Sequence, residues 1–307
     1  MSLDLMIKQI KQTNCPVVAG LDPKIEYVPQ FIKDQCYAEY GKSTQGVTQA
    51  ILQFNMGLID ELADVVPAVK PQAAYYEMYG LEGIKVMYQT LEYAKKKGMY
   101  IILDAKRGDI GTTAEAYSAG WLGEANVDGE MQSMATADCL TVNPYLGSDG
   151  ILPFAKDCKK YDKGIFALVK TSNPSSGEIQ DLLTDGVPIY EKMAELVVKW
   201  GEGTEGEYGY SAVGAVVGAT YPQQAQRLRE IMKNAYFLVP GYGAQGATAA
   251  DVAVSFKKDG LGAIVNSSRA IMCAYKKSGL PELEYGKAAK DEAYAMGKAI
   301  NEAVKNQ

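Results

Sequence analysis

The stretch Ile101–Glu115 reads IILDAKRGDIGTTAE. Its apolar start is typical of a buried β-strand, and the run then ends in four charged residues, Asp104, Lys106, Arg107 and Asp109. Asp104 and Lys106 are two residues apart, so in a strand their side chains point to the same face. Because a buried charge costs free energy unless it is paired, the stretch predicts a strand whose end carries a network of ion pairs.

Apolar, β-branched runs like this one recur along the chain and alternate with longer amphipathic segments. In several of these runs both the odd and the even positions are apolar, which is typical of strands buried on both faces of a parallel sheet. The runs cover 17–22, 68–72, 100–106, 139–144, 164–171, 212–220, 235–241 and 262–268. Helical segments cover 44–64, 80–97, 112–124, 189–200, 222–232 and 248–258. The intervals 23–43 and 172–188 are interpreted as long loops.

Eight strand–helix units in a chain of this length predict an α/β fold, a (β/α)8 TIM barrel that forms a single domain over residues 1–307. We also expect an N-terminal helix at 2–13 and a C-terminal helix at 286–304. A doubly wound sheet is the alternative. It would be favoured by a G-x-G-x-x-G turn after the first strand, where the chain instead reads VVAGLDPK.

The composition limits the classes of function. The net charge is -6 and the basic residues are scattered, which argues against a nucleic-acid or anionic-membrane surface. No apolar run reaches the ~18 residues of a membrane span, and the N-terminus does not read as a signal peptide. The five cysteines lack metal-ligand spacing and are interpreted as reduced thiols, so we expect a cytoplasmic protein.

The sequence contains no histidine. Its absence excludes Ser-His-Asp and Cys-His chemistry and histidine-ligated zinc sites. Any acid–base catalysis must therefore use Lys, Asp, Glu, Tyr or Cys side chains.

Polar side chains follow most of the predicted strands at the point where each strand ends. In TIM barrels the active site lies at the carboxyl ends of the strands, so we expect these residues to meet there. They are Asp22, Lys70, Asp104, Lys106, Asp109, Asn143, Thr171, Ser172, Gln245 and Arg269. The charges predict a network in which Lys70, Asp104, Lys106 and a second Asp alternate. The alternative is a purely structural ring of ion pairs or a solvated rim.

A second motif indicates an anion site. The segment PGYGAQGATAADV at 240–252 is a glycine-rich turn leading into a helix, and Gly241, Gly243 and Gly246 let backbone amides approach an anion. Arg269 follows the eighth predicted strand. The loops after strands seven and eight form the usual phosphate site of TIM barrels. The alternative is a pair of ordinary tight turns with a surface arginine.

These motifs resemble those of orotidine 5'-phosphate decarboxylase, most closely its second sequence subfamily, type 2. The stretches that carry the resemblance are DAKRGDIGTT, VAGLDP, AVKPQ, VKTSNPSSGEIQ and PGYGAQGA. The family core D-x-K-x-x-D-I-G-x-T is complete, from Asp104 to Thr113, and the resemblance spans residues 17–270.

The resemblance implies a reaction and the roles of three charged residues. Orotidine 5'-phosphate loses CO2 and leaves uridine 5'-phosphate, the last step of de novo UMP synthesis, with no metal or organic cofactor. Lys106 would protonate C6 of the pyrimidine, and Asp104 would lie beside the departing carboxylate and hold Lys106. Lys70 would pair with Asp104 and reach the ribose hydroxyls. A fixed ammonium stabilises the carbanion that develops at C6 and then supplies the proton.

The resemblance also implies a homodimer. Asp109 and Thr113 would reach across the interface into the partner's site, where Asp109 would complete the charged array. The other binding residues that it implies are Asp22 for the ribose, Ser172 for the pyrimidine amide, and Gln245, Arg269 and the backbone of Gly243 for the phosphate. Thr171 and Asn173 remain alternatives to Ser172.

Two other functions are alternatives to this one. A metal-dependent relative acting on 3-keto sugar phosphates shares D-x-K-x-x-D, but it carries a Glu ligand for Mg²⁺ at the end of strand two, where this chain has Lys70. An ammonium group there would repel the metal. A phosphate-ligand sensor that had lost catalysis would be expected to have lost part of the charged array, which is complete here.

Overall fold

A computed structural model of the chain describes residues 2–134, 136–243 and 246–307. Within these residues eight parallel strands alternate with helices and close into one barrel, as the sequence predicts. Around the barrel the strands follow the order β1-β8-β7-β6-β5-β4-β3-β2, so each lies beside its neighbours in sequence. The strands are β1 (Val17–Leu21), β2 (Ala68–Pro71), β3 (Tyr100–Arg107), β4 (Cys139–Val142), β5 (Gly164–Lys170), β6 (Val213–Val217), β7 (Phe237–Val239) and β8 (Ala263–Ser267).

Helices of very different length connect the strands and flank the barrel. They are α1 (Ser2–Thr13), α2 (Gln30–Tyr40), α3 (Thr44–Leu62), α4 (Ala74–Glu77), α5 (Gly80–Lys96), α6 (Gly111–Leu122), α7 (Ser148–Tyr161), α8 (Gly177–Gln180), α9 (Ile189–Gly201), α10 (Pro222–Ile231), α11 (Ala249–Ala253), α12 (Arg269–Met272) and α13 (Tyr285–Lys305). None of the described helices is long and apolar enough to cross a membrane.

Most of the barrel strands form where both the odd and the even positions of the chain are apolar. Every residue of β1, β2, β4, β6 and β8 is buried, which is the pattern of strands covered on both faces. The register then fixes which residues are neighbours at the carboxyl ends. Gly20 of β1 lies opposite Lys70 of β2, and beyond the regular pairing of β2 with β3 a further bridge joins Gln72 to Asp104.

The chain divides into two compact units. We name the units by their order in the sequence. The central unit comprises Lys106–Asn266 together with residues 2–8 and 299–307 of the chain ends, and the flanking unit comprises Gln9–Ala105 and Ser267–Lys298 on either side of residues 106–266 in the sequence. In the flanking unit α3 packs against α2 and α5, and Tyr285 of α13 contacts Phe54 of α3 through tilted rings 5.3 Å apart. In the central unit α6 packs against α7, and α9 packs against β5 and β6.

Two segments interpreted as loops contain regular structure, so those interpretations are wrong. The interval 23–43 holds α2, in which Ile32 and Cys36 are the buried positions. Two buried positions four residues apart are too few to identify a helix from the periodicity of apolar residues. The interval 172–188 holds α8 and a small antiparallel ladder that pairs 183–184 with 187–188.

Helix ends differ from the sequence expectation in two places. The chain carries S/T-x-x-E at Thr112 and Glu115, which predicts a capping box, but α6 begins at Gly111 after Ile110 and has no side-chain cap. A true capping box starts α11, where Thr248 and Asp251 bond reciprocally. This helix ends at Ala253, five residues before the predicted boundary, in a turn where Ser255 N–H donates to the carbonyl of Val252.

Candidate active site

Three of the predicted charged residues come together in the flanking unit. Lys70, at the end of β2, donates from Nζ to Oδ2 of Asp104 at 2.7 Å. The same Nζ lies 3.9 Å from Oδ1 of Asp22, the residue directly after β1. Lys70 is 3% exposed and Asp104 is 7% exposed, so this ion pair is buried. The expectation that charges at the ends of adjacent strands pair with one another is confirmed for Lys70 and Asp104.

Gln72 completes this cluster from the strand end. Its Nε2 donates to Oδ2 of Asp104 at 3.0 Å, so one carboxylate oxygen accepts from both Lys70 and Gln72. The backbone is fixed as well, because Gln72 N–H donates to the carbonyl of Leu21 and Ala73 N–H donates to the carbonyl of Asp104. We call Asp22, Lys70, Gln72 and Asp104 the acid–lysine cluster.

The electrostatics of the cluster keep Lys70 charged. Burial by itself opposes the ammonium form, but the negative charges of Asp104 and Asp22 and the hydrogen bond to Asp104 outweigh it, so the pKa of Lys70 is raised. Oδ1 of Asp22 is buried and has no hydrogen-bond partner among the described residues. A buried acceptor of this kind favours a ligand that donates a hydrogen bond, such as a sugar hydroxyl.

Lys106 lies two residues beyond Asp104 on β3 and belongs to the central unit. Its backbone has φ +48, the left-handed region that residues with side chains seldom adopt. Its N–H donates to Oγ1 of Thr141 on β4 at 3.0 Å, which anchors this conformation. The side chain is exposed, although strand alternation predicts that it shares a face with the buried Asp104. The alternation argument fails here because the left-handed backbone of Lys106 interrupts the regular alternation of β3 one residue before the strand ends.

Asp109 and Thr113 lie at the start of α6. Oδ1 of Asp109 accepts from the N–H of Ile110 at 2.8 Å, so the carboxylate lies at the N-terminus of α6. The side chain of Asp109 is half-buried. Thr113 is exposed in the first turn. A groove beside them runs between α6 and α7. Its lining residues are Ile110, Gly111, Glu115, Asp149, Leu152, Pro153 and Lys156.

The segment after β5 holds the three candidates for pyrimidine contact. Thr171 is engaged within the segment, because its N–H donates to Oε1 of Gln180 and its hydroxyl donates to Oδ1 of Asn173 at 2.6 Å. The carbonyl of Ser172 accepts from the hydroxyl of Thr220 at 3.3 Å, and the Ser172 side chain is half-buried. Thr171, Ser172 and Asn173 therefore all stay candidates for contact with a ligand.

Sequence reasoning missed one residue of this segment. Lys170 ends β5, and its side chain is 1% exposed and paired with Asp181 at 2.7 Å. The signal was present, because a lysine ends the apolar run GIFALVK as Lys70 ends its own run.

The predicted phosphate residues are described to different extents. Gly241, Gly243 and Gly246 all have positive φ, as the glycine-rich turn requires, and Gly243 N–H donates to the carbonyl of Ala247. Arg269 begins α12 and is exposed. Gln245 lies outside the described residues. Asn143, at the end of β4, accepts through Oδ1 from the N–H of Tyr145 and caps a short turn.

Comparison with known proteins identifies the family. A family model for the orotidine 5'-phosphate decarboxylase / HUMPS family matches residues 17–279. The chain belongs to this family.

Relatives resemble the chain over nearly its whole length. A protein of Caldicellulosiruptor bescii named orotidine 5'-phosphate decarboxylase is 40% identical over 301 residues, which cover 98% of this chain and 97% of the relative. One of the same name from Rhodopirellula baltica is 44% identical over 268 residues, 87% of each protein. The solved structure of Leishmania donovani OMP decarboxylase superposes with a TM-score of 0.75 at 27% identity, over 99% of this chain and 98% of that chain.

Proposed function

We propose that this protein catalyses the decarboxylation of orotidine 5'-phosphate to uridine 5'-phosphate and CO2. This is a carboxy-lyase reaction, the last step of de novo UMP synthesis. The observation that carries the proposal is the buried pair of Lys70 and Asp104 at the carboxyl ends of β2 and β3. Relatives 40 and 44% identical to this chain are named for the same enzyme. We also propose, from the sequence motifs, that the protein belongs to the type 2 subfamily. A cytoplasmic location is likewise part of the proposal.

In the proposed reaction the bond between C6 and the carboxylate breaks, CO2 leaves, and the electron pair remains at C6. Lys106 then gives its proton to C6. Asp104 lies beside the substrate carboxylate and holds Lys106, while Lys70 pairs with Asp104. A preorganised ammonium of this kind lowers the barrier because it costs no reorganisation when the charge develops. The strained backbone of Lys106 supports this role, since such strain is typical of functional sites.

The rest of the substrate is proposed to bind as the resemblance implies. Asp22 takes a ribose hydroxyl, which suits its buried Oδ1 atom without a hydrogen-bond partner among the described residues. Ser172 binds the pyrimidine amide. The phosphate is bound by Gln245, Arg269 and the backbone of Gly243.

We also propose a homodimer in which Asp109 and Thr113 act in the partner's site. The groove beside α6 supports this, because Ile110 and Leu152 line it and are 52% and 50% exposed. Tyr145 and Leu146, which follow β4, are also exposed large hydrophobic residues. Apolar side chains grouped at the surface mark protein interfaces. Asp109 adjoins this area, because a Cβ on Gly150 would lie 3.1 Å from its carbonyl oxygen.

The metal-dependent keto-sugar reaction is the second candidate within the family. It requires a carboxylate where this chain places the ammonium of Lys70, held there by Asp104 and Asp22. The cluster therefore favours a cofactor-free reaction.

The test is an assay of the purified protein with orotidine 5'-phosphate, followed by the loss of pyrimidine absorbance. We expect turnover that survives dialysis against EDTA. No turnover of orotidine 5'-phosphate would contradict the proposed function. Activity that is lost with EDTA and restored by Mg²⁺ would contradict the cofactor-free mechanism.

A further inference from the structure

The buried Lys170 at the end of β5 has no part in the proposed chemistry. Its Nζ donates to Oδ1 of Asp181 at 2.7 Å and to Oγ of Ser176 at 3.1 Å. The ring of Tyr221 lies 4.6 Å from the same atom and the ring of Tyr190 lies 5.7 Å from it, measured to the centroids. The cation thus has an acid, a hydroxyl and two aromatic faces around it.

These partners belong to separate elements that follow one another in the chain. Ser176 lies in a 3-10 turn, Asp181 directly follows α8, Tyr190 is in the first turn of α9, and Tyr221 directly precedes α10. A cation with partners on four elements holds all of them to the end of β5.

A second contact lies next to the Lys170–Asp181 ion pair. Thr171 and Gln180 bond twice, because Thr171 N–H donates to Oε1 of Gln180 and Gln180 Nε2 donates to the Thr171 hydroxyl. The pairs 170–181 and 171–180 therefore close the base of one short loop over residues 172–179. Loops closed in this way are frequently functional.

The closed loop contains Ser172, and the backbone of Ser172 packs against Gly218, which directly follows β6. A Cβ on Gly218 would lie 2.8 Å from the nitrogen of Ser172, so only glycine allows this approach. The Thr220 hydroxyl donates to the Ser172 carbonyl at 3.3 Å. The Ser172 side chain stays half-buried at the ligand-facing position that the resemblance implies.

We infer that Lys170 is a positioning residue: its ion pair with Asp181 and its hydrogen bond to Ser176 hold the 172–179 loop so that Ser172 recognises the pyrimidine ring. The inference rests on the proposed function for the identity of the ligand. It concerns recognition of the base, and the ribose phosphate is bound by other residues.

The variant Lys170→Met keeps the length of the side chain and removes the cation. Asp181 is 41% exposed at its side chain and stays hydrated, so the barrel is expected to fold. Lys170→Arg keeps the charge and is the conservative control. A misplaced binding group can cost up to about 100-fold, so we expect kcat/KM to fall about 10- to 100-fold in Lys170→Met, mainly through KM, with most of the loss recovered in Lys170→Arg.

Two inhibitors separate positioning from general damage. In Lys170→Met the inhibition constant of uridine 5'-phosphate should rise about as much as KM, while that of ribose 5-phosphate, which lacks the base, should stay unchanged. An equal loss of affinity for both inhibitors, or no change in either, would overturn the inference.

Hydrogen exchange distinguishes this inference from the proposed function. Lys170→Met should speed exchange of the Thr171 and Ser176 amides and leave the amides of the barrel strands unchanged. If the wild type does not turn over orotidine 5'-phosphate, the proposed function fails while this measurement still reports on the loop. Unchanged exchange at Thr171 and Ser176 would overturn the role of Lys170.

Discussion

Nζ of Lys70 and Oδ2 of Asp104 are 2.7 Å apart and almost fully buried, so two adjacent barrel strands end in one ion pair. Oδ2 also accepts from Gln72, and Asp22 lies 3.9 Å from the ammonium. Two acids and one base are thus concentrated at the strand ends. Such an arrangement costs desolvation free energy, which favours a functional origin over a stabilising one.

The first prediction concerns the stability that this pair carries. Lys70→Met leaves the Asp104 carboxylate buried without its cation, and we expect the free energy of unfolding to fall by roughly 3–5 kcal/mol. The matched control is Lys97→Met, because the Lys97–Asp60 pair is about 40% exposed on both sides and is screened by solvent, so its loss should cost much less than the loss of Lys70. Urea unfolding measures both. Equal losses in the two variants would contradict a special cost at Lys70.

The double variant Lys70→Met/Asp104→Leu separates stability from activity. Replacing both members of a buried pair with apolar residues is often neutral for stability. We expect the double variant to regain most of the stability lost in Lys70→Met and to remain inactive. Recovery of activity with stability would show that the pair has only a structural role.

The second prediction concerns pH. The pKa of Lys70 is raised above its ordinary value of 10.5, so the folded protein holds this proton more tightly than the unfolded chain does. Its stabilising contribution is therefore complete below that value and is lost as the pH rises through the higher folded pKa. The difference in free energy of unfolding between wild type and the double variant should be constant from pH 7 to about pH 10 and should change only above that range. A change between pH 7 and 9 would contradict a charged Lys70 at neutral pH.

The third prediction concerns the proposed dimer. Lys106→Ala and Asp109→Ala subunits are each expected to be inactive as homodimers. After equal mixing and exchange, half of the molecules are heterodimers with one intact site, so about a quarter of wild-type activity should return. The control is either variant mixed with itself. No recovery in a sample shown to contain heterodimers would contradict donation of Asp109 across the interface.

The sequence predicts the barrel well because its strands are read from a strong local signal. Several strands are apolar at both their odd and their even positions, and the charged residues that follow Val69 and Leu103 mark strand ends. The pairing of Lys70 with Asp104 follows from strand order, since β2 and β3 are neighbours. The helix α2 was missed because Ile32 and Cys36 are its buried positions and its other residues are exposed or half-buried.

Other features of the site could not be predicted because they depend on tertiary contacts. The left-handed backbone of Lys106 is fixed by the hydrogen bond that its N–H donates to Thr141 of β4, and sequence gives no signal for positive φ at a lysine. The partner of Lys170 lies eleven residues away, beyond a short helix, so only the folded chain shows that Asp181 pairs with it.

The central claim is that Lys106 supplies the proton to C6, and the most direct measurement is kcat for orotidine 5'-phosphate in Lys106→Ala. The control is Lys199→Ala, which removes an exposed lysine of α9. We expect Lys106→Ala to lose about 10,000-fold or more in kcat, because it removes both the proton donor and the charge that stabilises the carbanion, and we expect Lys199→Ala to match wild type. A folded Lys106→Ala enzyme with kcat within about tenfold of wild type would contradict the mechanism.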